Sequence, residues 1–338
     1  MGKMNRHLIV GVFISAVLIY FASKGVSFQD VAKSIEGINY CFVLLSLLAM
    51  VIMQLLRSFR WGLLLRPLAS ISQITLFSVS SVGFLAIIAL PARLGELVRP
   101  YIIAQKSNIS IPSAISSVVV ERILDGISIT LFVAVIPFML PIIPSWLFAP
   151  AIFFIITIVL LSALIVFLVV YKKFAVEFFH KMANKNYIHK KAFAQKIVGI
   201  LEGFIDGFEI IKDFRLLLLA LVISIMVWVV EVFIIHYMLL AFNIHLPIVA
   251  YLVLTVILIV SIAIPAAPGF IGSWHFACVL GLSFFGIAQD LAFAFGVVYH
   301  FFSMALLALL GFIFLPSNYF VLVDVYKRRF ATNSDKKL

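Results

Sequence analysis

The chain has 338 residues, 64% of them hydrophobic and only 12% charged, with a mean hydropathy of +1.23. So little polar surface cannot cover a soluble globule, which excludes a soluble enzyme or cytosolic binding module and points to an integral membrane protein. The formal net charge of +11 clusters around the apolar runs, where it bears on membrane orientation and anionic lipids rather than on nucleic acid.

A spanning helix needs about 20 apolar residues, and such runs lie near 7–23, 39–56, 74–90, 114–140, 150–171, 216–241, 248–264, 270–287 and 290–315. The first follows Lys3 and Arg6, yet Phe21-Ala22-Ser23-Lys24 lacks the small-x-small pattern of a cleaved leader, so it reads as a retained helix. After it, Phe28, Val31, Ile35 and Ile38 recur at helical spacing, and Arg57, Arg60 and Arg66 follow the second run. The longest polar stretch, 172–215, carries nine basic residues against five acids, with Ile197, Leu201, Phe204, Phe208 and Ile211 at helical spacing. Both amphipathic stretches suit either the headgroup layer or a scaffold helix against the bundle. Cys41 and Cys278 show no CxxC or metal spacing, so both read as packing residues, and no disulfide, metal or cofactor is expected.

Basic segments favour the cytoplasmic side. That bias puts the N-terminus, Arg57 to Arg66, the central stretch and the basic tail inside, while 141–149 and 242–247, which carry no Lys, Arg, Asp or Glu, fit the outer face. Two plain crossings at 74–90 and 114–140 would leave the central stretch on the wrong side. The conflict disappears if 74–110 dips in from the cytoplasm, turning near Pro91 to Gly95, and 248–287 dips in from outside, turning near Pro265 to Gly269. The expected fold is an all-α polytopic membrane protein with six to eight transmembrane helices and two re-entrant hairpins in an inverted repeat. It forms a single membrane domain over 1–338. The first repeat spans 39–140 with an inner hairpin at 74–110, and the second spans 216–315 with an outer hairpin at 248–287. A cytoplasmic basic and amphipathic loop at 172–215 joins them, and 316–338 is a cytoplasmic tail. The alternative keeps 74–90 as a full crossing against the charge bias.

The two turns share a pattern of apolar residue, Pro, Ala, two residues, Gly: Leu90-Pro91-Ala92-Arg93-Leu94-Gly95 and Ile264-Pro265-Ala266-Ala267-Pro268-Gly269. Inside a bilayer such breaks survive only where protein or water meets the freed backbone groups, so the pairing points to a central site. Pro265, Pro268, Gly269 and Gly272 also precede a helix start at about Gly272 to His275, which either attracts an anion or is a plain proline turn.

Seven ionisable groups fall in or beside membrane-depth segments: Arg93, Glu96, Arg99, Glu121, Arg122, Asp125 and Glu231. Each costs about 2.5 to 3.5 kcal/mol at a lipid-exposed central position, so they must pair or meet water. If helical, Glu96 can bridge Arg93 and Arg99, while Arg122 and Asp125 are three apart and Glu121 and Asp125 four apart. Two readings stay open. Either the arginines hold a phosphate through planar paired donors, oriented by the acids, or the cluster is a salt-bridge network at the cytoplasmic rim that binds nothing. Glu231, with no charged neighbour in sequence, is a proton carrier or the partner of an arginine from another element. His275 and His300 are proton relays or helix-to-helix hydrogen bonders.

The segment Pro91-Ala92-Arg93-Leu94-Gly95-Glu96-Leu97-Val98-Arg99-Pro100, then Val120-Glu121-Arg122-Ile123-Leu124-Asp125, then Pro265 to Gly272, resembles the flippase-like membrane family related to the transmembrane region of lysylphosphatidylglycerol synthases. Arg60-Trp61 belongs to the same resemblance, which runs over nearly the whole chain. It implies a bundle with re-entrant segments that moves phospholipids or polyprenyl-linked lipids between leaflets, with Arg93, Glu96, Arg99, Glu121, Arg122 and Asp125 at the substrate. Where the family often has an acid or amide after the second glycine, this chain has Trp274-His275. Members that aminoacylate lipids carry an additional soluble catalytic domain, which is not expected here.

The leading expectation is a lipid translocase of the prokaryotic plasma membrane, both termini cytoplasmic, whose partners are membrane lipids with an anionic headgroup or polyprenyl phosphate. The alternative is a membrane enzyme, or a partner subunit of a lipid-modifying enzyme, in lipid-linked glycan or aminoacyl-lipid metabolism. The sequence has no Walker loop, DxD-type metal pair or nucleophile with a recognisable base, so neither ATP use nor an enzyme is expected.

Overall fold

The computed structural model describes residues 2–90, 95–139, 145–174, 176–177, 191–263 and 267–319. Among them all regular structure is helical: α1 (Gly2–Ser23), α2 (Phe28–Glu36), α3 (Tyr40–Leu65), α4 (Gln73–Ala89), α5 (Val98–Ser107), α6 (Ile111–Met139), α7 (Ser145–Val170), α8 (Lys191–Asp206), α9 (Phe214–Ala241), α10 (Ile248–Ala263), α11 (Ser273–Ser283) and α12 (Gln289–Phe314). Short polar side chains set several starts by accepting from the first free N–H groups. Ser27, Asn39, Ser72 and Asp213 cap α2, α3, α4 and α9 in this way.

Among the described residues four stretches are long and apolar enough to cross a membrane: α3, residues 152–170 of α7, α9 and α12; α1 and α2, bent by 82°, make a fifth if the pair is one span. The chain is thus an integral multi-pass membrane protein. Helix α6, at 29 residues, has the length to cross but carries Glu121, Arg122 and Asp125 along its middle. Many large apolar side chains face outward, including Phe153, Leu160 and Val170 of α7, as expected where the surrounding solvent is hydrocarbon.

Helices α3 and α9 form the central antiparallel pair. Asn39 N–H donates to the Ala241 carbonyl at 2.8 Å, Ser46 Oγ to the Ile234 carbonyl at 3.4 Å, and Arg60 Nη1 to Ser224 Oγ at 2.8 Å. Two helical hairpins pack against this pair. In the first, the chain doubles back between α4 and α5 so closely that a Cβ on Gly95 would sit 2.2 Å from the Ile87 nitrogen, and one on Gly83 would sit 1.9 Å from Arg99 Cγ. In the second, α10 and α11 pack together with Gly281 against Leu254 and Ile257. The turn between them includes a 3-10 segment, Pro268–Phe270, with Gly269 and Gly272 at positive φ. Gly272 has a second reason to lack a side chain, since a Cβ there would lie 2.4 Å from the Ser15 carbonyl oxygen of α1.

The pairwise packing of α2, α4, α5 and α6 corresponds to that of α8, α10, α11 and α12, whereas α1 packs on α11 and α7 on α6. Helix α4 packs on α12 as α10 packs on α6, α5 on α6 as α11 on α12, and α2 on α12 as α8 on α6. The small helices are fastened by named bonds. Asp290 accepts from Ser27 N–H at 2.7 Å, and Ser113 Oγ donates to the Gly203 carbonyl at 2.7 Å. Of the two readings of the amphipathic stretches, each helix therefore lies against the bundle, with Val31 buried and Phe204, Phe208 and Ile211 in one apolar cluster with α6.

Two expectations need correction. Arg57 and Arg60 do not follow the second span but lie inside α3, which continues to Leu65 because both side chains find partners within the bundle. Cys41 is exposed, one residue into α3, while Cys278 is buried as expected. Pro91, Arg93, Pro265 and the tail from 320 onward lie outside the described residues.

Because the clash at Gly95 is with backbone, Gly95→Ala is expected to cost about 1 to 3 kcal/mol, seen as a lower thermal midpoint in detergent. Gly199→Ala, where an added Cβ meets nothing within 4 Å, is expected to leave that midpoint unchanged or raise it slightly.

Candidate functional site

The charged side chains meet where α3, α5 and α6 converge. Glu121 and Asp125, one helical turn apart on α6, both face Arg60 of α3. Arg60 Nη2 donates to Glu121 Oε1 at 2.8 Å, and Nη1 donates to Asp125 Oδ1 at 2.5 Å and to Ser224 Oγ. All three charged residues are buried. A buried guanidinium is tolerable only when carboxylates answer it with good geometry, and here two do.

Arg99 approaches the same acids from the first hairpin. Its Nη1 donates to Glu121 Oε2 at 3.2 Å, and its guanidinium lies over the Trp61 ring at 4.4 Å, a cation–π contact. Trp61 is itself held by a bond from its Nε1 to Ser117 Oγ at 3.0 Å. Arg99 Nε and Nη2 are buried and have no partner. Arg122, on the next position of α6, pairs with Asp125 Oδ2 at 3.4 Å and lies 3.9 Å from Glu121 Oε2, yet half of its side chain remains exposed.

These groups edge a cavity of about 200 Å³ lined by Arg57, Glu96, Arg99, Arg122, Asp125 and Glu231 among largely apolar neighbours. All the central elements contribute to its walls: α3, both hairpins, α6, α9 and α12. Arg57 stacks over Phe84 at 5.4 Å, and Arg99 meets the same ring at 5.5 Å. Glu231 accepts a 2.8 Å bond from Tyr299 Oη on the far wall. Trp274 of the second hairpin also lines the cavity, with its buried Nε1 lacking a partner. Each hairpin thus presents an unanswered N–H donor beside the same cavity, an arrangement suited to an oxyanion.

The geometry brings Arg99, Glu121, Arg122 and Asp125 together. Glu96 lines the cavity from a 3-10 turn at residues 95–97, and Arg99 donates to Glu121 of α6. His275 and His300 sit beside the second turn with ring centres 4.9 Å apart. His300 Nε2 lies 2.6 Å from the Gly269 carbonyl oxygen and His275 Nδ1 accepts from Gly272 N–H at 3.4 Å. Both histidines therefore pin the turn that Pro268, Gly269 and Gly272 make.

Sequence reasoning missed Arg57 and Arg60 as site residues. Their spacing of three on one helical face was the available signal, but their place at the end of an apolar run made them read as flanking positive charge.

A polytopic helical bundle with paired hairpins and a charged internal cavity is the class defined by this geometry. Residues 8–311 match the family described as the lysylphosphatidylglycerol synthase TM region, and the chain belongs to that family, whose proteins act in the membrane in lipid metabolism or transport. Comparison with curated proteins and with solved structures gives no match.

Arg60→Met would leave Glu121 and Asp125 buried with partial answers. The expected loss is about 3 to 5 kcal/mol, read as a fall in the denaturation midpoint of the solubilised protein, and adding Asp125→Asn is expected to recover part of it.

Proposed function

We propose that the protein is a lipid translocase, in which the phosphate of a phospholipid or polyprenyl-linked lipid enters the arginine-lined cavity while its chains stay in the bilayer. The observation that carries this reading is the division of labour among the arginines. Arg60 spends both terminal nitrogens on buried acids and does not line the cavity, whereas Arg57, Arg99 and Arg122 border it, Arg99 with a terminal nitrogen unanswered and Arg122 half exposed. Guanidinium forks suit a phosphate because they offer paired donors and do not deprotonate.

The path is the space between two inverted repeats. Helices α1 to α6 correspond in order to α7 to α12, and the equivalent helices α3 and α9 run antiparallel, as an axis in the membrane plane requires. At 1.5 Å per residue the 17 residues of α4 reach about 26 Å, short of a hydrocarbon core of about 30 Å, which supports a re-entrant hairpin entering from the cytoplasm. The second hairpin then enters from the outer face, and both termini are cytoplasmic in the plasma membrane.

Purified protein in liposomes with a leaflet-specific fluorescent phospholipid tests the proposal. Arg122→Ala and Arg57→Ala are each expected to slow transfer about 10- to 100-fold, the equivalent of one charge-assisted hydrogen bond, measured at a temperature where each variant is still folded. Equal transfer by the native protein and both variants would overturn the arginine mechanism.

A further inference from the structure

The two halves share one numerical register. Advancing by 174 positions (265 minus 91) carries Pro91 onto Pro265 and Gly95 onto Gly269, and it carries Asn39 onto Asp213, the residues that cap α3 and α9. The same step carries Arg57 onto Glu231 and Asp125 onto Tyr299. Equivalent positions on the two central helices therefore hold opposite charges, and both side chains line the same cavity.

Their surroundings differ in one decisive respect. In the first half the position equivalent to Tyr299 is an acid, Asp125, on the same cavity as Arg57. In the second half the acid meets a neutral phenol, Tyr299. Of the ionisable groups around the cavity, α3 presents Arg57, the first hairpin Glu96 and Arg99, α6 Arg122 and Asp125, and α12 Tyr299, while the second hairpin lines it with none among the described residues. Arg99 and Arg122 already face Glu121 and Asp125. The cation left on the cavity wall to offset Glu231 is Arg57.

We propose that Glu231 takes up a proton when a lipid phosphate occupies Arg57, and that proton and lipid cross together. This inference rests on the translocase reading and adds its energy source. An arriving phosphate takes over the positive charge that offset the carboxylate, and a buried carboxylate left without an answering cation is favoured in its neutral form. An O–H bond then forms at a Glu231 oxygen with a proton drawn from the aqueous side to which the cavity is open. When the phosphate leaves on the other side, Arg57 is restored to Glu231 and that bond breaks, releasing the proton to the water there. For a singly charged phosphodiester the cycle moves no net charge.

The test uses the full chain in liposomes holding a fluorescent phosphodiester lipid, with the membrane potential clamped at zero and a gradient of one pH unit imposed. The expected result is an approximately tenfold excess of lipid in the leaflet facing the alkaline compartment, together with acidification of that compartment reported by a trapped pH dye. Glu231→Gln is expected to let lipid equilibrate between leaflets but to abolish the excess, and Glu231→Asp to restore part of it. Native protein that equilibrates lipid with no excess and no dye signal would overturn proton coupling and leave the translocase standing. Native protein that moves no lipid would overturn both. An excess that persists in a folded Glu231→Gln variant would remove the role of this carboxylate. The native dye signal needs no variant, so the coupling stays testable even if the substitution prevents folding.

Discussion

A guanidinium withdrawn from water must be met by negative charge, and the pairing of Arg60 with Glu121 and Asp125 is the constraint around which this bundle is arranged. It ties α3 to α6 at their most buried point, and the Ser224 hydroxyl draws α9 into the same knot. Trp228 Nε1 adds a 3.2 Å bond to Asp125 from α9. Charges that would be intolerable in lipid are thereby converted into a register mark for three long helices whose apolar faces alone leave sliding and rotation inexpensive.

Once that knot is closed, the other arginines are left on the cavity side. Arg99 has one acid and an aromatic bed, Arg122 shares both acids but projects outward, and Arg57 rests on Phe84. The contrast separates a structural role from a binding role within one residue type. The same separation is visible between the histidines, which hold the second turn, and Trp274, whose indole N–H is left open beside the cavity.

Much of this was legible in the chain itself. The apolar runs gave the long helices, the Pro-Ala-x-x-Gly pairs gave both chain reversals, and three-and-four spacing gave the α6 acids with Arg122. The inner members of the site were not legible, for a physical reason. A basic residue near the end of an apolar run has the same local sequence whether it reaches for headgroups or turns inward, and only the acids brought up by α6, 61 and 65 positions away, decide that Arg60 is internal. Glu96 lines the cavity, though a 3-10 turn rather than a helix carries it there. Glu231 was visible as an isolated acid, but its partners came from sequence too distant for any local pattern.

The notch at Gly83 has a mechanical corollary. The stem of Arg99 lies where a side chain on α4 would otherwise be, so that guanidinium is fixed to the first hairpin as a tooth is fixed to a gear. Any tilt of the hairpin against α6 carries the tooth along and strains its ionic link to Glu121, while the Arg60 anchorage lies between α3 and α6.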